Sequence, residues 1–366
     1  MRILIVCDFL FKYGAQQARA LAQSDHDVVM LCRSHALEFG GADTERDQCV
    51  ESLEREGIQM LAVPGRVRSI SAVPKLLQIR RALRQWDPDV VHVHENHDPR
   101  LLALTTGYPT VLTVHDPLGH PGAPELTRWE NWAFREWFRR AERFVVHGQA
   151  LVGELEPIVG CGRIVIIPHG LWARSEPLHA PSSPSVLLFG RLEQYKGVEV
   201  LVEAMRLVWT SSPRVRLVVA GAGEAARLVP DDSRISLIPR YVPESELNGL
   251  LAQASLVALP YTQASQSGVG LQAIAAGVPV VVSDLGALPE LAYDPSFVFE
   301  AGNPRALAET IERHLDHGAD VRRAVLRHAS RFSWLHAAQL TTELYRELAR
   351  QNGSALRKHH DAGSPG

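Results

Sequence analysis

A chain of 366 residues, 46% hydrophobic and 22% charged, is long enough for two domains of about 150 to 200 residues each. Its 38 basic and 41 acidic residues leave a net charge of -3, which excludes a global field suited to nucleic acid. Cys7, Cys32, Cys49 and Cys161 form no C-x-x-C pair and have no histidine at zinc-finger spacing. Neither a disulfide framework nor a structural zinc is expected, and reduced thiols in a cytoplasmic protein are.

No apolar run approaches the roughly 20 residues that span a bilayer, and the opening MRILIVCDFL reads as a buried strand rather than a signal segment. Further short apolar runs follow at 28–32, 58–63, 89–94, 109–114, 143–147 and 163–167. Their unbroken Val, Ile and Leu content, without strict alternation, predicts strands buried on both faces of a parallel sheet. Between them, 15–23 and 73–85 carry apolar residues at helical spacing and predict crossover helices. The segment SEPLHAPSSP predicts a linker over 176–184.

Strand runs resume at 185–189, 214–220, 234–238, 255–259, 278–283 and 296–299, with a helix over 198–209 whose face is Val198, Leu201, Val202, Met205 and Trp209. The expected architecture is α/β: two doubly wound Rossmann-like domains, 1–175 and 185–332, facing across a cleft where the carboxyl ends of the strands would bind ligand. A helix over 333–352 packs on either domain, and 353–366 is expected to be disordered.

Chemistry concentrates in the second half. In LFGRLEQYKG, Arg191 and Lys196 lie between a strand end and a helix, and Gly190 and Gly197 let backbone come close. A planar guanidinium and a point-charge ammonium there suit a diphosphate. VAGAGE ends the next strand with Gly221 and Gly223, and RYVPESE follows another, with Tyr241 read as a packing residue when taken alone. The stretch 257–284 then holds a strand, a Gly- and Ser-rich turn, a helix over 271–276 and another strand. Amides at Ser267, Gly268 and Val269 would precede that helix and suit an anion.

The succession GRLxxxKG, VxGxGE, xVPExEL and AxAAGVPVVVSD resembles the donor-binding half of the family 4 glycosyltransferases. DVVHVH, TVHD and IIPHGL echo their amino-terminal half. The resemblance spans nearly the whole chain and implies the GT-B fold. It also implies transfer of a sugar from a nucleotide diphosphate sugar to an acceptor hydroxyl, with retention and with neither metal nor other cofactor.

On that resemblance Arg191 and Lys196 bind the leaving diphosphate, and Gly14 approaches the same phosphates. Gly190, Gly221, Ser267, Gly268 and Val269 line the phosphates and sugar, Tyr241 and Val242 meet the base through main chain, and Gln272 meets the ribose. His115 faces the donor sugar, and His94 and Glu95 stand on the acceptor side. The acceptor would be a sugar, a lipid-linked group or a small molecule.

The sequence departs from the family where two glutamates are expected eight positions apart: Ala264 and Gln272 stand there. That departure motivates an alternative, a nucleotide-sugar-binding partner protein without turnover. Asp87 and Asp89 form a D-x-D that a turn before a strand explains, His92 and His94 share one strand face, and His169 is assigned to the interdomain hinge.

Arg66, Arg68, Lys75, Arg80, Arg81 and Arg84 read as a solvated face, and Trp129, Trp132, Phe134, Trp137 and Phe138 as core. Weak peripheral contact with the inner membrane face is the competing reading for both groups.

Overall fold

The computed structural model describes residues 1–8, 10–34, 43–65, 70–115, 126–171, 181, 183–264, 266–316 and 318–361; at 43–45, 70, 244 and 352–361 it describes backbone only. The chain divides into two compact units. Unit 1 holds 1–147, 152–170 and 334 onward, and unit 2 holds 148–151 and 171–333.

Unit 1 alternates strand and helix: β1 Arg2–Val6, α1 Phe11–Ala22, β2 Asp27–Arg33, α2 Asp43–Arg55, β3 Gln59–Val63, α3 Val73–Trp86, β4 Val90–His94, α4 Pro99–Leu104, β5 Thr110–Thr113, α5 Arg128–Arg140, β6 Arg143–Val146, α6 Gln149–Val159 and β7 Ile164–Ile166. Its sheet is parallel in the order β3-β2-β1-β4-β5-β6-β7. In unit 2, β8 Ser185–Phe189, α7 Val198–Ser211, β9 Arg216–Ala220, β10 Ile235–Ile238, α8 Glu244–Gln253, β11 Leu256–Leu259, α9 Gly268–Ala275, β12 Val280–Ser283, β13 Val298–Phe299, α10 Pro304–His314 and α11 Ala319–Ala329 build a parallel sheet in the order β10-β9-β8-β11-β12-β13.

Strands form where the apolar runs predicted them, but burial on both faces holds for the inner strands only: the edge strands β3, β7 and β10 are partly exposed, having a neighbour on one side alone. β4, β8 and β12 are buried along their whole length. The predicted face of α7, Val198, Leu201, Val202, Met205 and Trp209, is buried in the unit 2 core. In each unit the strand order reverses once, between β1 and β4 and between β8 and β11. The carboxyl ends flanking such a reversal leave a crevice where open α/β sheets take ligands.

The last helix, α12 Trp334–Asp361, belongs to unit 1, where it packs against α1 through residues that include Trp334, Ala337, Tyr345 and Leu348. Its backbone stays helical to Asp361, past 352 where the sequence reading ended it. Gly353 in a helix interior costs only about 1 kcal/mol, and Ala355, Leu356, Arg357 and Lys358 beyond it are good helix formers. Residues 362–366 lie outside the described residues, as do 172–175, most of the expected linker (176–180 and 182), Arg66, Arg68 and Asp116.

Asp87 and Asp89 stand at the amino ends of the strands, away from the crevice. Asp87 ends α3 in a left-handed conformation, and Asp89 accepts from the Arg2 amide at 2.7 Å and its guanidinium at 2.9 Å. The aromatic stretch divides: Trp137 is buried, whereas Trp129 and Trp132 are 58% and 49% exposed, correcting the expectation that both pack in the core. The reason is phase: Ala133 and Trp137, four apart, face inward, which turns 129 and 132 outward.

Candidate active site

Three loops meet at the carboxyl ends of β8, β9 and β11. Gly221 lies so close to the Gly190 carbonyl that a Cβ would overlap it, and Gly190 in turn approaches Val269. Gly197 adopts φ 67°, and a Cβ there would overlap the Pro260 carbonyl. A left-handed residue free of a side chain is required at that contact, and only glycine meets both demands. These approaches set the turn carrying Arg191 and Lys196 against the segment that leads into α9.

Lys196 is 7% exposed. Its Nζ donates to Tyr261 Oη at 2.6 Å and lies 3.9 Å from the centre of that ring. Burial, and then the nearby Arg191 charge, hold the ammonium down to about 7. Arg191 is exposed and forms no salt bridge among the described residues. Ser267 caps α9, its Oγ accepting from the Gly270 amide at 3.2 Å, and helix geometry leaves the amides of Gly268 and Val269 without an intrahelical acceptor. Two cations and a helix start at one strand-end crevice form a receptor for an anion. Gln272 is exposed one turn into α9, and Ala264 packs partly against the core.

Tyr241 is 64% exposed after β10 rather than packed, its carbonyl accepting from Arg240 at 3.2 Å, while Val242 packs against the unit 2 core. Gly14 lies in the first turns of α1, directly after β1. It is buried inside α1, its amide bonded to the Leu10 carbonyl at 2.9 Å, and a Cβ there would press on Cys7 at 2.7 Å, so helix packing onto the end of β1 requires glycine.

In unit 1 the crevice gathers histidines that are far apart in sequence. His94 Nδ1 lies 3.3 Å from His115 Nε2, and His115 Nδ1 lies 3.2 Å from His147 Nε2. His147 Nδ1 faces the Ile167 carbonyl at 2.9 Å and so carries its proton. With neutral rings, each Nδ1–H then donates along the chain from His94 through His115 to His147, and the Gln17 amide 2.7 Å from His94 Nε2 must present its –NH2. Burial keeps the rings neutral: His92 falls to about 3, His147 to about 4, and His94 and His115 well below the ordinary value. Glu95 orients this group by accepting from the His115 amide at 2.7 Å. His92 is a core residue bonded to Tyr345 Oη and Thr113 Oγ1, and His169 stands beside Tyr13 in the same cluster, bonded to the Gly170 carbonyl.

Sequence reasoning missed several polar groups at the same strand ends. Asp8 and Arg33 pair there, and Asn96 Nδ2 and His97 Nδ1 are buried without a hydrogen-bond partner among the described residues. The signal for them was only their place within three residues of the carboxyl ends of β1, β2 and β4. Among the described residues no group of His, Cys, Asp and Glu is arranged to hold a metal ion.

Residues 12–171 match the family described as Glycosyltransferase Family 4, and 183–317 match Glycosyl transferases group 1. A glycogen synthase of Mycobacterium tuberculosis is 27% identical, with 95% of this chain and 93% of that protein covered. A phosphatidyl-myo-inositol mannosyltransferase of Propionibacterium freudenreichii is 26% identical, with 88% of each covered. The crystal structure of Anabaena HepE in complex with UDP and glucose superposes with a TM-score of 0.68 at 18% identity, covering 95% of this chain and all of that one.

Proposed function

The chain belongs to the family 4 glycosyltransferases of GT-B fold, and from that premise we propose that it transfers a sugar from a nucleotide diphosphate sugar to an acceptor hydroxyl. One observation carries the reading. Lys196 is a buried ammonium whose recorded hydrogen bond is to a neutral phenol, beside an exposed Arg191 and the start of α9, so the site is short of one anion. A diphosphate supplies it. Negative charge on the diphosphate grows as the anomeric C–O bond breaks, so the two cations stabilise the transition state more than the bound donor.

In this reading the acceptor oxygen attacks on the face the diphosphate leaves, configuration is retained, and neither metal nor cofactor is required because Arg191 and Lys196 supply the charge. Val242 and the main chain at Tyr241 meet the base, and Gln272 meets the ribose. Gly190, Gly221, Ser267, Gly268 and Val269 line the phosphates and sugar. His115, held by His94, His147 and Glu95, faces the donor sugar. Both its ring nitrogens lie within hydrogen-bond reach of neighbouring histidines, so its carbonyl and ring edge are what it offers a sugar.

The test is release of nucleoside diphosphate from a panel of UDP-, GDP- and ADP-sugars. One donor should turn over, and Arg191→Ala should lower its kcat/KM by about 10- to 100-fold, the worth of one charged hydrogen bond. Turnover indifferent to Arg191→Ala would overturn the site. Binding without turnover, unchanged by Gln272→Glu with Ala264→Glu, would favour the partner-protein alternative.

A lipid-linked acceptor presented at a membrane surface is supported by one feature of unit 1. Val73, Leu76, Leu77, Pro99 and Leu104 line a shallow groove of about 360 Å³ between α3 and α4, rimmed by Arg80, and α5 with its exposed Trp129 and Trp132 packs on α4. Flotation with phosphatidylglycerol vesicles should show binding that weakens as salt rises, and no binding at low salt would remove this part of the proposal.

A further inference from the structure

Tyr261 follows Pro260 at the end of β11 and is 1% exposed, yet its oxygen is shared by two groups of the anion site. Lys196 Nζ lies 2.6 Å from Oη, and Ser267 Oγ lies 2.9 Å from it on the other side. An ammonium can only donate, so the phenol accepts from Lys196 and has its own proton to give to Ser267. Ser267 also accepts the Gly270 amide, which leaves the serine proton and two of the three ammonium protons free for ligand oxygens. The phenol ring supports the same nitrogen from below, its centre 3.9 Å away, with the Tyr195 ring at 5.1 Å.

The hydrogen bond that holds the ammonium comes from outside the lysine loop, from Tyr261. We propose that Tyr261 is the positioning residue of the diphosphate site: its phenol ties the Lys196 ammonium to the N-cap hydroxyl of α9, so that one phosphate group meets both. This rests on the reading of the site as a diphosphate receptor.

The charged and titratable groups bearing on Lys196 are Arg191 on its own loop and the phenols of Tyr195 and Tyr261, and among the described residues no carboxylate pairs with it. Burial raises the Tyr261 phenol, so it stays neutral across the range in which the lysine gains or loses its proton. An incoming diphosphate should therefore be bound best when Lys196 is protonated, and the phenol oxygen favours that form.

Titration calorimetry with UDP, GDP and ADP from pH 6 to 9 tests this on the whole protein, Tyr261→Phe and Ser267→Ala, with circular dichroism to check folding. For the nucleotide that binds, wild-type affinity should hold near pH 6 and fall as pH rises through about 7, where Lys196 discharges. Tyr261→Phe keeps the ring but removes the oxygen. It should bind about tenfold more weakly at pH 8 but within about threefold at pH 6, with the fall starting at lower pH.

Ser267→Ala frees the phenol to turn from α9 and also removes the hydroxyl's own bond to the ligand, so it should weaken binding at every pH and by a larger factor at pH 8 than at pH 6; it carries the test if Tyr261→Phe does not fold. Equal weakening at every pH, or none, overturns the positioning role while leaving the diphosphate site intact. A wild-type protein that binds none of the three nucleotides overturns the site and this role together.

Discussion

Acid should unfold unit 1 before its carboxylates titrate, because its strand-end histidines are buried without charge. His92 is held at about 3 and His147 at about 4, burial being the larger cause for each, whereas the same rings in an unfolded chain titrate near 6.5. Below pH 6.5 the unfolded state therefore binds more protons than the folded one, and stability falls as pH falls. The contribution is complete above 6.5 and is lost progressively toward 4 and 3.

At pH 5 each ring costs about 2 kcal/mol, about 4 kcal/mol together, a large part of the roughly 5 to 15 kcal/mol that holds a domain. His94 and His115, shifted the same way, add to the loss. Lys196 in unit 2 adds nothing in this window. Its lowered value of about 7 weakens the fold only as pH falls from 10.5 to 7, and its effect is flat below that. Hydrogen exchange with mass spectrometry in moderate urea at pH 7.5, 6 and 5, read at matched intrinsic exchange, would resolve the two units. Peptides covering β4, β5 and β6 should lose protection well ahead of those covering β8, β9 and β11. Equal loss in both units, or none in unit 1 by pH 5, would refute the neutral buried chain.

Gly197→Ala should destabilise unit 2 by at least about 1 to 2 kcal/mol, the cost of a left-handed alanine, with more for the overlap on the Pro260 carbonyl. Urea unfolding would measure it, and a change under about 0.5 kcal/mol would contradict the close approach. Gln272→Glu, at an exposed position, should leave stability within about 0.5 kcal/mol while tightening nucleoside diphosphate binding by about threefold, since a carboxylate accepts from ribose hydroxyls more strongly than an amide does. Calorimetry showing weaker binding would place Gln272 away from the ribose.

Much of the fold was legible because burial on both faces leaves a local mark. An unbroken run such as VVMLC or VVVS can hardly be anything but a covered strand, and the runs appear as strands in both sheets. The turn that carries Arg191 and Lys196 was legible for a related reason: the glycines around it mark close backbone approaches that local sequence can announce. Gly14 shows the limit. A glycine after the first strand can serve a phosphate or a packed helix, and only the tertiary structure shows that Cys7 packs against it.

Sequence by itself determined the two parallel-sheet units, the family, and which turn carries the cations, because strand burial, glycine and charge are properties of contiguous residues. Tertiary structure alone decided which distant groups share a point. Placing β4 between β1 and β5 lines up His94 and His115, and β6 brings His147 to the same edge. The reversal between β8 and β11 sets Tyr261 under Lys196, 65 residues apart in the chain. No local pattern encodes such a meeting, because it depends on strand order, and strand order is settled by how the crossovers pack rather than by the residues that end up in contact.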